Sequence, residues 1–167
     1  MRPARNSRRP DSSAAADPTA AETAALGFLA RREYSVLELR NRLARQGYSE
    51  EAVGTAIAEL LAAGTLSDQR FAATYASLHA GRRQGPVRIA ADLRRVGVAV
   101  ELIQSALTDV TDWAATARAL RIRRFGAKSP ATWSERARQA RFLQYRGFSS
   151  EQIRSALGGD IDPDTTA

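Results

Sequence analysis

The chain has 167 residues, 44% of them hydrophobic, a formal net charge of +7 and no cysteine. This length suits one domain or a short array of small helical units. Without cysteine there are no disulfides, thiolate zinc sites or cysteine nucleophiles, and no apolar run is long enough to span a membrane. The positive charge favours an anionic partner such as nucleic acid, although the arginine bias of a GC-rich genome explains the same composition.

Residues 1–18 are predicted to form a disordered tail. This segment is rich in arginine, serine and alanine, and no hydrophobic stretch follows its charges, so a secretory signal is not expected. The acidic side chains of Asp11 and Asp17 argue against a transit peptide. The sequence therefore predicts a cytoplasmic protein with no membrane association.

Three glycines spaced 50 residues apart, Gly47, Gly97 and Gly147, indicate an internal repeat. A leucine stands four residues before each of them and a glutamate four residues after, within the stretches LARQGYSEEAVGTAI, LRRVGVAVELIQSAL and LQYRGFSSEQIRSAL. One such joint is an ordinary helix end, because glycine adopts the left-handed conformation that terminates a helix. Three joints in one register predict three equivalent helix–helix corners, each glycine having a positive φ.

A further helix precedes each joint, and Ser67-Asp68 and Thr111-Asp112 are candidate N-caps for two of these helices. The predicted fold is all-α, with nine helices in three tandem three-helix repeats that form an elongated, curved helical array. The predicted repeats cover residues 19–66, 67–110 and 111–158, and an acidic tail covers residues 159–167.

Charge is distributed unevenly among the three repeats. The first has five arginines against six acids, the second six against four, and the third ten basic residues against three acids. The positive charge is thus concentrated in the third repeat, and the first repeat is expected to contact mainly protein.

Basic and aromatic side chains in the third repeat are candidates for nucleic-acid contact. Arg138, Arg141 and Tyr145 share one helix face by their spacing, while Arg118, Arg121 and Arg124 recur every three residues in the preceding helix. Such side chains bind phosphates and stack on bases, but a solvated arginine face with a packing tyrosine fits equally well. The full hypothesis for partner or DNA contact comprises Arg82, Arg83, Arg88, Arg118, Arg121, Arg123, Arg124, Arg138, Arg141 and Tyr145.

No residue pattern indicates catalysis, a cofactor or a metal. His79 is the single histidine, and neither a phosphate-binding loop nor a nucleophile motif is present. One alternative is a stand-alone helix-turn-helix-like DNA-binding protein, because the first joint loosely fits that pattern through Ala44, Gly47, Ser49 and Val53.

The chain resembles the RecX family of bacterial recombinase regulators. The likeness is carried by GTLSDQRFAATY and RRQGPVRIAADLRRVGV, and covers about residues 20–158. The positions that match the family pattern are Gly64, Leu66, Asp68, Phe71, Ala72, Tyr75, Gly85, Arg88, Ile89, Leu93 and Gly97. Ser67 stands where asparagine is common in the family, and the third repeat matches less specifically.

This resemblance implies a non-enzymatic regulator, and we expect the chain to be a monomer that uses no cofactor. Its expected partners are the filament of RecA on single-stranded DNA, within whose groove such regulators lie, and, more weakly, single-stranded DNA itself. The resemblance further implies inhibition of the ATPase, strand-exchange and coprotease activities of RecA. It thereby implies control of homologous recombination, DNA repair and the SOS response.

Overall fold

The computed structural model describes residues 10–110 and 112–158, and every regular element within them is a helix. The ten helices in these ranges are α1 Ser12–Ala15, α2 Pro18–Leu29, α3 Val36–Gln46, α4 Glu50–Ala62, α5 Asp68–Gly81, α6 Pro86–Arg95, α7 Val100–Thr108, α8 Trp113–Phe125, α9 Trp133–Tyr145 and α10 Ser150–Leu157. The predicted all-α class and the three tandem three-helix repeats are confirmed, as α2–α4, α5–α7 and α8–α10. The four-residue helix α1 is additional to the nine helices expected.

Helix α1 lies in the segment for which a disordered tail was predicted. The Asp11 carboxylate caps it by accepting a hydrogen bond from the Ala14 N–H at 2.9 Å. The Ala15 carbonyl accepts a hydrogen bond from the Ser49 N–H at 2.8 Å, which attaches α1 to the first glycine joint. In contrast to the prediction, residues 12–15 are therefore helical. Residues 1–9 and the predicted acidic tail at 159–167 lie outside the described residues.

The chain divides into two compact units, and the division falls within α5 between Ala72 and Ala73. The first unit holds the described residues up to Ala72 together with Val96–Val98, and the second holds the remainder. Each unit has its own buried apolar cluster, since helices with one apolar stripe must pack that stripe together. The cluster of the first unit comprises Ala25, Leu39, Leu43, Val53, Ile57, Leu60 and Leu66. The second unit buries Ala117, Leu120, Leu143, Phe148 and Ala156 together.

The three glycine joints have the predicted left-handed backbone. Their φ angles are 104° at Gly47, 82° at Gly97 and 91° at Gly147. At the first joint the Tyr48 N–H donates to the Leu43 carbonyl at 3.3 Å, and at the third joint the Phe148 N–H donates to the Leu143 carbonyl at 3.2 Å. This bond, which spans six residues, is characteristic of a helix ended by a left-handed glycine. An apolar contact between the two residues it joins accompanies this kind of helix end, which explains why a leucine recurs before the glycine and an apolar residue, aromatic at the first and third joints, recurs after it.

The predicted N-caps are confirmed where the structure describes them, with one difference in role. The Ser67 hydroxyl accepts a hydrogen bond from the Arg70 N–H at 3.2 Å at the start of α5, and the Asp112 carboxylate caps α8. Asp68 instead accepts a hydrogen bond from the Val36 N–H at 2.8 Å and so caps α3, another helix of the first unit. Thr111 lies outside the described residues.

Within the first unit, the second glycine joint packs against the start of α3. The fully buried Ser35 hydroxyl donates to the Val96 carbonyl at 2.7 Å and accepts from the Glu38 N–H at 3.1 Å. A Cβ atom on Gly97 would lie 2.9 Å from Leu37 Cδ2, closer than van der Waals contact allows. A side chain at residue 97 would therefore displace Leu37, in addition to straining the backbone at this positive φ.

Within the second unit, the third glycine joint packs against the start of α6, 50 residues further along. The Gly85 N–H donates to the Arg146 carbonyl at 2.8 Å, and the Val87 N–H donates to the Gly147 carbonyl at 3.0 Å. A Cβ atom on Gly85 would overlap the backbone of Gly147, and one on Gly147 would overlap the Cβ of Arg88. The second and third repeats thus share the three helices and also the contact that the joint makes with the chain about 60 residues before it.

Candidate nucleic-acid interface

The predicted basic and aromatic face lies on α9. The helix begins after Thr132, whose hydroxyl accepts a hydrogen bond from the Glu135 N–H at 3.2 Å. The spacing of three and four residues then places three exposed side chains on one side of the helix, and the buried Leu143 lies on the other. We refer to these exposed residues, Arg138, Arg141 and Tyr145, as the α9 face. Its tyrosine is 79% exposed, so that its ring is accessible.

An open groove of about 510 Å³ adjoins the α9 face. We refer to it as the basic–aromatic groove, and it is lined by Arg124, Phe125, Arg138 and Phe142. The two phenylalanine rings meet edge to face, with their centroids 5.3 Å apart. The Cζ atoms of Arg138 and Arg124 lie 5.5 Å and 5.9 Å from the centroid of Phe125. A cation–π contact consumes no hydrogen bond, so it leaves the guanidinium N–H groups available for an anion.

Together the α9 face and the basic–aromatic groove offer the two kinds of contact that single-stranded nucleic acid requires. Three arginines supply donors for phosphate oxygens, namely Arg124, Arg138 and Arg141. The exposed ring of Tyr145 supplies an apolar surface on which a base can stack. The arrangement is chemically suited to binding a phosphate backbone through charge and bases through stacking.

The interpretation of Arg121 as part of this basic surface is wrong. Its side chain is only 4% exposed and packs beside Ala117 and Leu120 on the inner side of α8. The guanidinium donates to the carbonyls of Lys128 and Ala127 at 2.9 Å and 3.3 Å. A buried charge requires such hydrogen bonds, and here they fix the segment that connects α8 to α9.

The remaining arginines of α8 do not form one patch with each other. Arg118 and Arg123 are both exposed, but a separation of five residues places them about 140° apart around a helix. Of the α8 arginines, Arg124 is the one that lines the basic–aromatic groove. The regular three-residue spacing of Arg118, Arg121 and Arg124 therefore does not correspond to a shared surface, because each step turns the side chain by about 60°.

Arg82, Arg83 and Arg88 lie on the surface of the second unit, away from any described contact with an acidic side chain. The carbonyls of Arg82 and Arg83 accept hydrogen bonds from Nη2 of Arg146 at 2.6 Å and 2.9 Å. Arg83 has a φ of 58°, a left-handed value that is uncommon for a residue with a side chain and fits this tight turn. Arg88 is exposed on α6, with its Cβ against Gly147. A role for these three side chains in partner binding stays a prediction.

Phe125, Phe142 and Arg146 were not among the predicted site residues. Phe142 stands one helical turn after Arg138, a spacing at which helix side chains meet, so this pair was detectable from the sequence. The position before each joint glycine holds Gln46, Val96 and Arg146, so an arginine occurs there only at the third joint. That arginine donates hydrogen bonds to the turn after α5. The approach of Phe125 to Phe142 depends on tertiary packing and left no pattern in the sequence.

Within residues 10–110 and 112–158, no group of three or more acidic or histidine side chains is arranged to hold a metal ion. In the same part of the chain, no helix is both long enough and apolar enough to cross a membrane.

Three family models match the chain in succession. They describe the first, second and third three-helix domains of RecX, and they match residues 21–60, 67–107 and 111–157. Together they account for most of the chain.

Curated relatives and solved structures agree with these models. The regulatory protein RecX of Halorhodospira halophila is 45% identical over 154 residues, covering 92% of this chain and 96% of the relative. The regulatory protein RecX of Stenotrophomonas maltophilia strain R551-3 is 38% identical over 139 residues, covering 83% and 85%. A crystal structure of RecX from Lactobacillus salivarius has the same fold, with a TM-score of 0.73 at 20% identity, and the match covers 84% of this chain and 94% of that one.

Proposed function

The chain belongs to the RecX family, and from this membership we propose that it binds the RecA filament on single-stranded DNA and inhibits RecA. The proposal covers the ATPase, strand-exchange and coprotease activities, and hence recombination, DNA repair and the SOS response. The protein acts in the cytoplasm as a monomer with no catalytic activity of its own. The observation that carries the proposal is the match of all three domains, in order, to a regulatory family.

We further propose that the α9 face and the basic–aromatic groove bind the DNA within the filament. The third repeat carries ten basic residues against three acids, and these two surfaces combine guanidinium groups with an exposed aromatic ring. A protein lying along a nucleoprotein filament meets phosphates at close range, where arginines bind through charge without reading sequence.

Inhibition of RecA is tested by DNA-stimulated ATP hydrolysis. We expect hydrolysis by the cognate RecA to fall with increasing amounts of this protein, which alone hydrolyses no ATP. Strand exchange, measured in parallel, should fall over the same concentration range. If both activities were unchanged at saturating protein, the proposal would be overturned. Retention of the protein on naked duplex DNA but not on RecA filaments would then favour the alternative, a stand-alone helix-turn-helix-like DNA-binding protein.

The role of the α9 face is tested by replacing Arg138 and Arg141 with alanine. On single strands each phosphate contact contributes about 0.7 to the slope of log affinity against log salt, so the slope should fall by roughly 1.4. Inhibition of the RecA ATPase should weaken as well. The matched control is Arg40→Ala/Arg94→Ala, which removes the same charge from two exposed arginines of α3 and α6. An unchanged slope and unchanged inhibition in the Arg138 and Arg141 variant would mean that the α9 face is a solvated surface.

A further inference from the structure

The first repeat has a net charge of −1, but its charges are separated in space. Helix α3 carries three exposed arginines against a single acid, Glu38, while α4 carries three glutamates. The arginines of α3 are Arg40, Arg42 and Arg45. The balance over the whole repeat therefore conceals a basic face on α3 at Arg42 and Arg45, whereas Arg40 lies about 160° from Arg42 around the helix. The expectation that this repeat contacts mainly protein rested on that balance.

A cavity of about 250 Å³ opens on this helix. We refer to it as the α3 pocket, and it is lined by Arg32, Tyr34, Glu38, Asn41, Arg42 and Arg45. Three guanidinium groups and one carboxylate give it a formal charge of +2. Its volume lies below the roughly 300–1,000 Å³ typical of pockets for drug-sized ligands, so a small anionic group fits it better than a whole cofactor.

One wall of the α3 pocket is held in place. The Arg32 guanidinium lies over the Tyr34 ring, with Cζ 3.6 Å from the ring centroid. Its Nη1 donates to the Glu33 carbonyl at 2.9 Å and to the Glu38 carboxylate at 3.1 Å. These contacts fix the guanidinium before any ligand arrives, which lowers the entropy lost on binding. Arg32 thus forms an ordered cationic wall whose charge is partly offset by Glu38.

Two further cations line the α3 pocket, and neither has a partner of opposite charge among the described residues. Arg42 and Arg45 lie one turn apart on the same side of α3, and no ion pair within residues 10–110 and 112–158 involves either of them. Glu33 makes no ion pair with them either: its Oε1 accepts a hydrogen bond from Nε of Arg70 at 2.6 Å, a contact that raises the pKa of Arg70, and its buried Oε2 has no hydrogen-bond partner in the described part of the chain. The two guanidinium groups can therefore both turn their donors towards an anion in the pocket.

We propose that the α3 pocket binds a phosphodiester group of single-stranded DNA. Arg42 and Arg45 bind the phosphate oxygens through charge-assisted hydrogen bonds, which are the strongest such bonds available to a protein surface. Asn41 adds a neutral donor through its amide. The first repeat thereby has a DNA contact of its own, in addition to the contacts proposed for the third repeat. It rests on the proposed function in one respect, the choice of single-stranded DNA as the source of the phosphate.

The experiment measures binding of the full chain to a fluorescent single-stranded oligonucleotide without RecA, at 50–200 mM salt. If both arginines contact phosphates, Arg42→Ala/Arg45→Ala lowers the log–log slope by about 1.4, so that wild type loses about sevenfold more affinity than the variant across this range. The control Arg40→Ala/Arg94→Ala leaves the slope unchanged. Arg42→Lys/Arg45→Lys keeps the slope because it keeps the charge, but it binds more weakly because lysine lacks the planar fork. Equal urea midpoints for all variants show that folding is intact.

An unchanged salt slope in Arg42→Ala/Arg45→Ala overturns the inference. Inhibition of the RecA ATPase, measured on the same variants, separates this failure from a failure of the proposed function. If inhibition weakens while the slope is unchanged, the pocket binds an acidic protein surface and the phosphate assignment is wrong. If wild type inhibits RecA and neither quantity changes in the variant, the proposed function stands and the α3 pocket has no part in it.

Discussion

The second and third glycine joints occupy equivalent positions 50 residues apart, yet different chemical groups hold them. At the second joint, a side-chain hydroxyl of Ser35 donates to the carbonyl before Gly97. At the third joint, the backbone N–H of Gly85 donates to the carbonyl before Gly147. Residue 85 is the counterpart of residue 35, so the hydrogen bond is retained while its donor changes from side chain to backbone.

This change of donor alters how closely the two chain segments approach. At the third joint the absence of a side chain on Gly85 and Gly147 lets backbone meet backbone, and a Cβ atom on either residue would overlap the other segment. At the second joint a Cβ on Gly97 would lie 2.9 Å from Leu37 Cδ2, which can move to another rotamer, and 3.0 Å from Leu37 Cβ, a milder approach than the overlaps at the third joint. Substitution of the glycine is therefore expected to destabilise the protein more at the third joint than at the second.

The largest expected effect is that of Gly147→Ala. The substitution places a side chain at a φ of 91° and forces it into Arg88, so we expect a loss of about 2–4 kcal/mol in the free energy of unfolding. Urea unfolding of the full chain measures it. Two control variants separate the causes. Gly64→Ala, with a φ of 67° and open space around it, should cost about 1 kcal/mol through the backbone alone. Gly85→Ala, where φ is not positive, should cost about 1–3 kcal/mol through overlap alone.

The second prediction concerns Ser35→Ala. The buried hydroxyl caps α3 and satisfies the Val96 carbonyl, so its removal should cost about 2 kcal/mol. Ser49→Ala is the matched control, because the Ser49 hydroxyl caps α4 by accepting from the Ala52 N–H at 3.2 Å and should cost about 1 kcal/mol. Equal costs for the two variants, again from urea midpoints, would mean that the hydrogen bond to Val96 contributes nothing to the joint.

The fold was predictable because its main signals are local. At the first and third joints the left-handed glycine, the leucine before it and the aromatic residue after it all belong to one hydrogen-bonded helix end, so the spacing in the sequence reproduces the geometry. The contact of Gly85 with Gly147 was not predictable in this way. It joins residues 62 positions apart, and glycine at residue 85 has no positive φ that would mark it as exceptional.

The candidate site was predictable on α9 and not on α8. On α9 the side chains at intervals of three and seven share a face, and the structure exposes all three of them. On α8 the same argument from spacing was wrong for Arg121. Each step of three residues shifts the side chain by about 60° around the helix, and Arg121 therefore lies on the buried side of α8. In the first repeat the summed charge is uninformative for a different reason, because the arginines of α3 and the glutamates of α4 cancel in the total although they lie on different helices.

The smallest expected effect, and the sharpest test of the comparison, is that of Gly97→Ala. The strained backbone at a positive φ should lower the free energy of unfolding by about 1 kcal/mol, as in Gly64→Ala, and the displacement of Leu37 should lower it by a few tenths of a kcal/mol more. Leu37 is 39% exposed, and Leu37→Ala removes the Cδ2 that would lie 2.9 Å from the new side chain while keeping the Cβ at 3.0 Å, so it should remove part of this extra cost. The double variant should then be more stable than the sum of the single changes implies, by about 0.2 kcal/mol. If Gly97→Ala instead lowers the free energy of unfolding as much as Gly147→Ala does, the second joint is as closely packed as the third. The difference in hydrogen-bond donor, Ser35 at one joint and Gly85 at the other, would then have no effect on the packing.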